Sequence, residues 1–427
     1  MIYNILDYGA IPGEGNLNTK AIQNAIDTCS ANGGGTVNVP SGLFISGTLY
    51  LKSNVELHLE MAAELRASTN RADYNPLDVY PENWGADAEG WDGRHFIISH
   101  EVENVAITGL GTINGSADVF FDGEVYDPGF HSAWSYGLHY QKGFRYGMEK
   151  SDNPRPGQTV VFINSKNIRV IDVTIINSPA WCLFLHGCEN VQVRGYKAFN
   201  EKAWANTDGL DIDICKNVTV SDCIIDTGDD AIAIRCNSKP LKDGKVACEN
   251  ITITNCVLAS SSSVFRIGVG AGEIRNVTIS NIVIPRGGVA FTIATHFSDK
   301  CHGLLEDMNI SNITADNVTT AFSLSARKDC YVKNISFTNY RAKCFNGTQM
   351  FAFDEAKVRN ITVRDMHLTI IPSPFPFTLV NENGNNHLFY TENVENVRFE
   401  NVTAEVPTEF KGLFKDDIGI FDSVRNG

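Results

Sequence analysis

Two short segments carry more carboxylates than a strand surface needs. The first reads Asn206-Thr207-Asp208-Gly209-Leu210-Asp211-Ile212-Asp213, and the second runs Asp226-Thr227-Gly228-Asp229-Asp230-Ala231-Ile232-Ala233-Ile234-Arg235. Both alternate apolar and polar residues, the pattern of a strand with one buried face. If Leu210 and Ile212 point inward beside Ile232 and Ile234, the segments align at an offset of 22. Asp208 then stacks beside Asp230, with Asp229 one residue away. Asp211 faces outward beside Ala233, and Asp213 faces outward beside Arg235, where an ion pair is expected. Like charges at close range split their affinities for protons, so one carboxyl holds a proton while another is ionised. Glycoside hydrolysis needs such an acid and base. A solvated acidic turn and a Ca²⁺ site fit the same residues.

A repeat must position these strands. The phrase NVAITG at Asn104 returns as NIRVID (Asn167), NVQVRG (Asn190), NVTVSD (Asn217), NITITN (Asn250) and NVTISN (Asn276). It continues as DMNISN (Asp307), NISFTN (Asn334), NITVRD (Asn360) and NVRFEN (Asn396). From Asn167 the intervals are 23, 27, 33, 26, 31, 27, 26 and 36 residues. Several short strands in each irregular period, with almost no helical periodicity, predict an all-β fold, a right-handed parallel β-helix. A propeller has a longer and more regular period. The recurring Asn can bond its counterpart in the next coil and tolerates a left-handed turn. That explains the N-x-S/T matches at Asn217, Asn250, Asn276, Asn334 and Asn360 better than glycosylation does. GVGAG at Gly268 follows a strand but opens no helix, so it is not a dinucleotide loop.

The ends and interruptions differ. Asn18 to Ser30 has apolar residues at helical spacing and Asn at the N-cap position. It predicts a short helix capping the core within an N-terminal region over 1–70, and the whole chain 1–427 reads as a single domain. Asp73 to Arg94 and Ser116 to Gln158 break the repeat. The second insertion holds Phe120, Phe121, Tyr126, Phe130, Trp134, Tyr136, Tyr140, Phe144 and Tyr146. A stretch this long inside a repeat is usually functional.

With 427 residues, 43% hydrophobic and 20% charged, the composition is that of a globular chain. The balance of 35 basic against 50 acidic residues gives net −15, which disfavours nucleic acid and anionic lipid as partners. No apolar run approaches the ~20 residues of a membrane helix. Met1 to Ala10 lacks the pattern of an export signal. The 11 Cys are an odd count without zinc spacing. Six of them (Cys182, Cys188, Cys215, Cys223, Cys236 and Cys256) lie in or beside apolar strand patterns and read as buried reduced thiols. Both observations favour the cytoplasm.

The chain resembles the polygalacturonase-like glycoside hydrolases of family 28, in the pectate-lyase-like β-helix superfamily. The likeness runs through DYGA (Asp7), NTKAIQNAID (Asn18), GGGTVNVPSG (Gly33), LKSNVELHLE (Leu51), NVAITGLGTINGS (Asn104) and INSPAWCLFLHGCENV (Ile176). It includes NTDG at Asn206 and GDDAIAI at Gly228, which match the family's two catalytic motifs. The resemblance implies that Asp229 is the general acid. It makes Asp208 and Asp230 the carboxylates that hold and deprotonate water, and has Asn206 position the sugar or the water. It also implies inversion, which needs roughly 6.5 to 9.5 Å between acid and base.

Two departures stand out. Where the family has Gly-His-Gly, this chain has Ala259-Ser260-Ser261-Ser262-Ser263-Val264, with the His position at Ser262 or Ser263. Where polygalacturonases have Arg-Ile-Lys to grip the sugar carboxylate, it has Thr292-Ile293-Ala294. Arg266, outward beside Ala233, is expected to compensate. Asp211 and His296 complete the expected substrate contacts, while His186 and Arg327 read as surface residues or ion-pair partners. Either the first sugar is not galacturonic acid or other residues bind its carboxylate; rhamnogalacturonan-type and neutral sugars stay open.

The expected activity is therefore an inverting glycoside hydrolase acting on pectin-type or related oligosaccharides, with no cofactor and no metal. Lack of an export signal points to imported oligosaccharides and hence to exo action, with the aromatic insertion walling one end of the cleft. A Ca²⁺-dependent lyase and a non-catalytic carbohydrate-binding β-helix are the rivals.

Overall fold

The computed structural model describes residues 1–78, 93–126, 145–236, 244–270, 272–295, 303–327, 329–372, 386–408 and 414–415. Short strands follow one another around a coil, and each pairs in parallel with its counterpart in the next coil. Val160–Ile163 pairs with Leu183–His186, which pairs with Leu210–Asp213, then Ile232–Cys236, then Ser263–Gly270. The fold is a right-handed parallel β-helix, as the repeat predicts. Inward residues stack in columns, and Val160, Leu183, Leu210, Ile232, Phe265, Phe291 and Phe322 are each buried to 1% or less exposure. Phe265 and Phe291 lie face to face at 4.8 Å between ring centres.

The recurring Asn forms the ladder expected of it. Asn104 Nδ2 donates to Asn54 Oδ1 at 2.9 Å, Asn167 to Asn104 at 3.0 Å, Asn190 to Asn167 at 3.2 Å and Asn217 to Asn190 at 3.0 Å. The ladder continues through Asn250 and Asn276, and again from Asp307 through Asn334 and Asn360 to Asn396. Each of these residues has φ between 52° and 63°, a left-handed conformation that Asn and Asp tolerate best after Gly. A second ladder, Asn255–Asn281–Asn312–Asn339, turns the next corner.

Helix α1 (Thr19–Ala31) buries Ile22, Ala25, Ile26 and Cys29 against the first coil and closes the core. Asn18 sits at its N-cap, where its carbonyl accepts from Ile22 N–H at 3.0 Å, but its side chain does not cap the helix. Its side chain instead pairs with both backbone groups of Ile11, at 2.7 and 3.1 Å, and ties down the preceding loop. The ten described cysteines are all buried; burial raises the Cys182 thiol to about 11, which keeps it protonated and inert. The long insertion leaves and re-enters the coil as an antiparallel pair, Phe121–Tyr126 with Arg145–Glu149. The aromatic side chains between Tyr126 and Tyr146 lie outside the described residues, as does His296.

Candidate active site

The alignment read from alternation is the observed register: Leu210 opposes Ile232, Asp211 opposes Ala233, Asp213 opposes Arg235, and Ala233 opposes Arg266. Gly209 N–H donates to the Asp230 carbonyl at 2.9 Å, which places Asp208 beside Asp230. Asp208, Asp229 and Asp230 thus offer carboxylate oxygens within 4.8 Å of one another. Asp208 is 3% exposed and Asp229 8%, and Asp230 is the most open of the three.

Two glycines make this possible. A Cβ on Gly209 would fall 2.4 Å from Ile225 Cγ2, and one on Gly228 would fall 2.4 Å from the Glu201 carbonyl. The chain just after Asp208 and just before Asp229 passes too close to its neighbours for any side chain. Asp229 is pinned on both oxygens: Asn206 N–H donates to Oδ2 at 2.8 Å and Asp230 N–H to Oδ1 at 3.0 Å. Its carbonyl accepts from Thr227 and Ser260 hydroxyls at 2.9 and 2.7 Å. Asp230 accepts from the Ser263 N–H at 3.0 Å. The serine run that replaces Gly-His-Gly is therefore a cradle for the Asp pair.

Burial, and then the charge of Asp229, raises the Asp230 carboxyl to about 7, against the pull of Arg266 and of donors from Ser262 and Ser263. Burial, with Asp211, Asp229 and Asp230 around it, holds Asp208 well above the usual carboxylate range, and Arg235 opposes this. One oxygen of Asp208, Oδ1, is buried without a hydrogen-bond partner. An orphan acceptor of this kind beside a second carboxylate is a seat for a water or a cation.

The other expected residues divide. The side-chain oxygen of Asn206 accepts from Arg155 at 2.8 Å, and its backbone N–H serves Asp229. Asp211 is fully buried and meets Arg235 at 3.2 Å, so it braces the floor and cannot contact substrate. The guanidinium of Arg235 also lies 4.2 Å above the Trp181 ring. The ion pair expected between Arg235 and Asp213 is accordingly drawn toward Asp211, and Asp213 Oδ2 meets His186 Nδ1 at 2.9 Å. His186 is buried, an ion-pair partner and not a surface residue. Arg327 is exposed and lies 4.5 Å over Phe353. Arg266 is 7% exposed, on the outward face beside the carboxylates as expected.

Arg155 is the residue that sequence reading misses. It donates to the Pro179 and Ala205 carbonyls at 3.1 and 2.8 Å besides Asn206. Phe121, from the far end of the same insertion, stacks on Trp204 at 4.7 Å. The insertion's two ends thus brace the loop that carries Asn206; its position within an interruption of the repeat was the signal available.

The model of "Glycosyl hydrolases family 28" matches residues 29–331. The chain belongs to this family. A probable polygalacturonase of Vitis vinifera is 25% identical over 392 residues, covering 88% of this chain and 72% of that protein. An exo-poly-alpha-D-galacturonosidase of Dickeya chrysanthemi is 28% identical over 54% of this chain and 41% of its own length. In fold, the family 28 chain is similar to an exopolygalacturonase from Thermotoga maritima, with TM-score 0.68, 24% identity and coverage of 94% and 92%.

One oxygen from each of the three carboxylates comes within 4.8 Å of the others, a closest approach and not the separation of whole acid and base carboxyl groups that distinguishes inversion from retention. The ladder sets this distance: Asp229 and Asp230 are chain neighbours, and Asp208 lies one rung away, at ~4.8 Å.

Proposed function

We propose that this chain trims pectin-derived oligosaccharides from one end, by direct attack of water at the anomeric carbon. The glycosidic oxygen takes a proton from Asp229 as its bond to the sugar breaks. Water lodged between Asp208 and Asp230 adds to the opposite face and passes a proton to that pair. The unpartnered Asp208 Oδ1 supports such a lodged water. A uronate sugar is supported by Arg266 beside the carboxylates and by the galacturonan-cleaving names of the relatives.

One observation carries the end-on reading. A single outward column crosses the groove floor in register: Tyr50, Ile98, Val161, Phe184, Asp211, Ala233, Arg266, Thr292, Ser323, Gln349 and Tyr390. On the N-terminal side of Asp211 it is apolar, and Ile98, Val161 and Phe184 are wholly buried with Trp181. On the C-terminal side it is polar. Protein covers the apolar stretch of the column, so a saccharide is expected to extend along the polar side. In a defined oligomer series, early products are expected to come from one chain end; mid-length products at early times would overturn this. Proton NMR of the first-formed anomer is expected to show inversion. Retention would make Asp208 or Asp230 a nucleophile.

The second reading, a cation-dependent lyase, draws on the same three close carboxylates. Turnover is expected to survive a chelator without any absorbance from a new double bond. Loss of activity that Ca²⁺ restores would reverse the assignment.

A further inference from the structure

The polar half of that column has a charge pattern of its own. Arg266, Thr292, Ser323 and Gln349 occupy successive coils on one outward face, one rung every ~4.8 Å, close to the length of a pyranose ring. Only the first rung is cationic. Thr292 Oγ1 pairs with Ser263 Oγ at 2.8 Å, and Gln349 Nε2 donates to Ser323 Oγ at 2.9 Å. The next outward positions on these strands are Ala294, Ser325 and Phe351, and then Glu392. Among the described residues, these two columns beyond Arg266 hold no cation and end at an anion; the exposed Arg327 lies one outward position farther along the chain, stacked over Phe353.

We propose that this half of the groove selects a saccharide with an acidic sugar at the first position beyond the cleaved bond and uncharged sugars at the positions after it. The proposal rests on the glycosidase reading above and names its substrate class. A carboxylate held against Thr292 or Ser323 gives up hydration without gaining a charge-assisted partner. It would also approach a chain of net charge −15. The paired hydroxyls and the amide are suited to sugar hydroxyls, because each can both donate and accept.

Methyl esterification removes a uronate's charge and leaves its ring intact, so it isolates the term. Oligogalacturonates of equal length would be compared, one fully ionised and one esterified only beyond the first acceptor sugar. The esterified oligomer is expected to show kcat/KM higher by about tenfold or more, the size of one charged hydrogen bond. Equal or better cleavage of the ionised oligomer would overturn the proposal. If neither is cleaved, the trimming reading fails separately. Calorimetric binding to Asp229→Asn then reads the preference without turnover, and binding of neither oligomer overturns it too. Thr292→Lys should reverse the preference by restoring a cation at the second rung; an unchanged preference in the folded variant would count against the proposal.

Discussion

Asp229→Asn is expected to reduce kcat by about 10²–10⁴, the span typical of one general acid or base, and Asp208→Asn and Asp230→Asn should do likewise. Stability should move the other way. Asp230 titrates at about 7 in the folded protein and near the ordinary carboxylate value when unfolded. The folded state therefore holds a proton between about 4 and 7 that the unfolded chain has released. This stabilisation is complete below pH 4 and is lost as pH rises through 7. Asparagine does not ionise, so Asp230→Asn should unfold at higher temperature than the parent at pH 8, with the difference closing toward pH 5. The gain at pH 8 is on the order of a few kcal/mol, since each pKa unit is worth about 1.4. Calorimetry at the two pH values, paired with turnover, is the check. Near-normal kcat would remove Asp229 or its partners from the mechanism, and a pH-independent difference would remove the proton shared at Asp230.

The second large effect is expected at Arg235. Its pair with Asp211 has side-chain exposures of 5% and 0%, and Trp181 covers its guanidinium. Arg235→Met should cost about 3–5 kcal/mol, because it withdraws a countercharge from a buried carboxylate. The double variant Arg235→Met with Asp211→Leu should recover much of that loss, since well-packed apolar replacements of a buried pair are often neutral. Activity separates a structural role from a positioning one. Arg235 lowers the Asp208 pKa, so Arg235→Met should move the acid limb of the pH–rate profile, set by the base carboxylates, to higher pH, and Arg235→Lys should partly restore it. Denaturant midpoints measure the first effect and kcat against pH the second. A cost under about 1 kcal/mol would class the pair with exposed surface bridges, and an unmoved profile would leave Arg235 a packing residue.

The sequence by itself determined the ribbon and its phase. A one-residue slip would turn Leu210 and Ile212 away from the core, and the offset that matches them one to one with Ile232 and Ile234 is the observed register. From that, Asp208 had to meet Asp230, and the repeated Asn had to stack at a corner. The tertiary structure decided what lies across the grain of the ribbon. Whether an outward residue meets water or protein depends on loops far away in sequence, so alternation alone reads Asp211 as an exposed substrate contact when it is a buried brace. The same holds for Arg155: no periodicity links it to Asn206, 51 positions on, and only the path of the insertion brings them together. Local pattern settles which way a side chain points, because the strand period is two. What it finds there is settled by packing between segments whose separation no local pattern records.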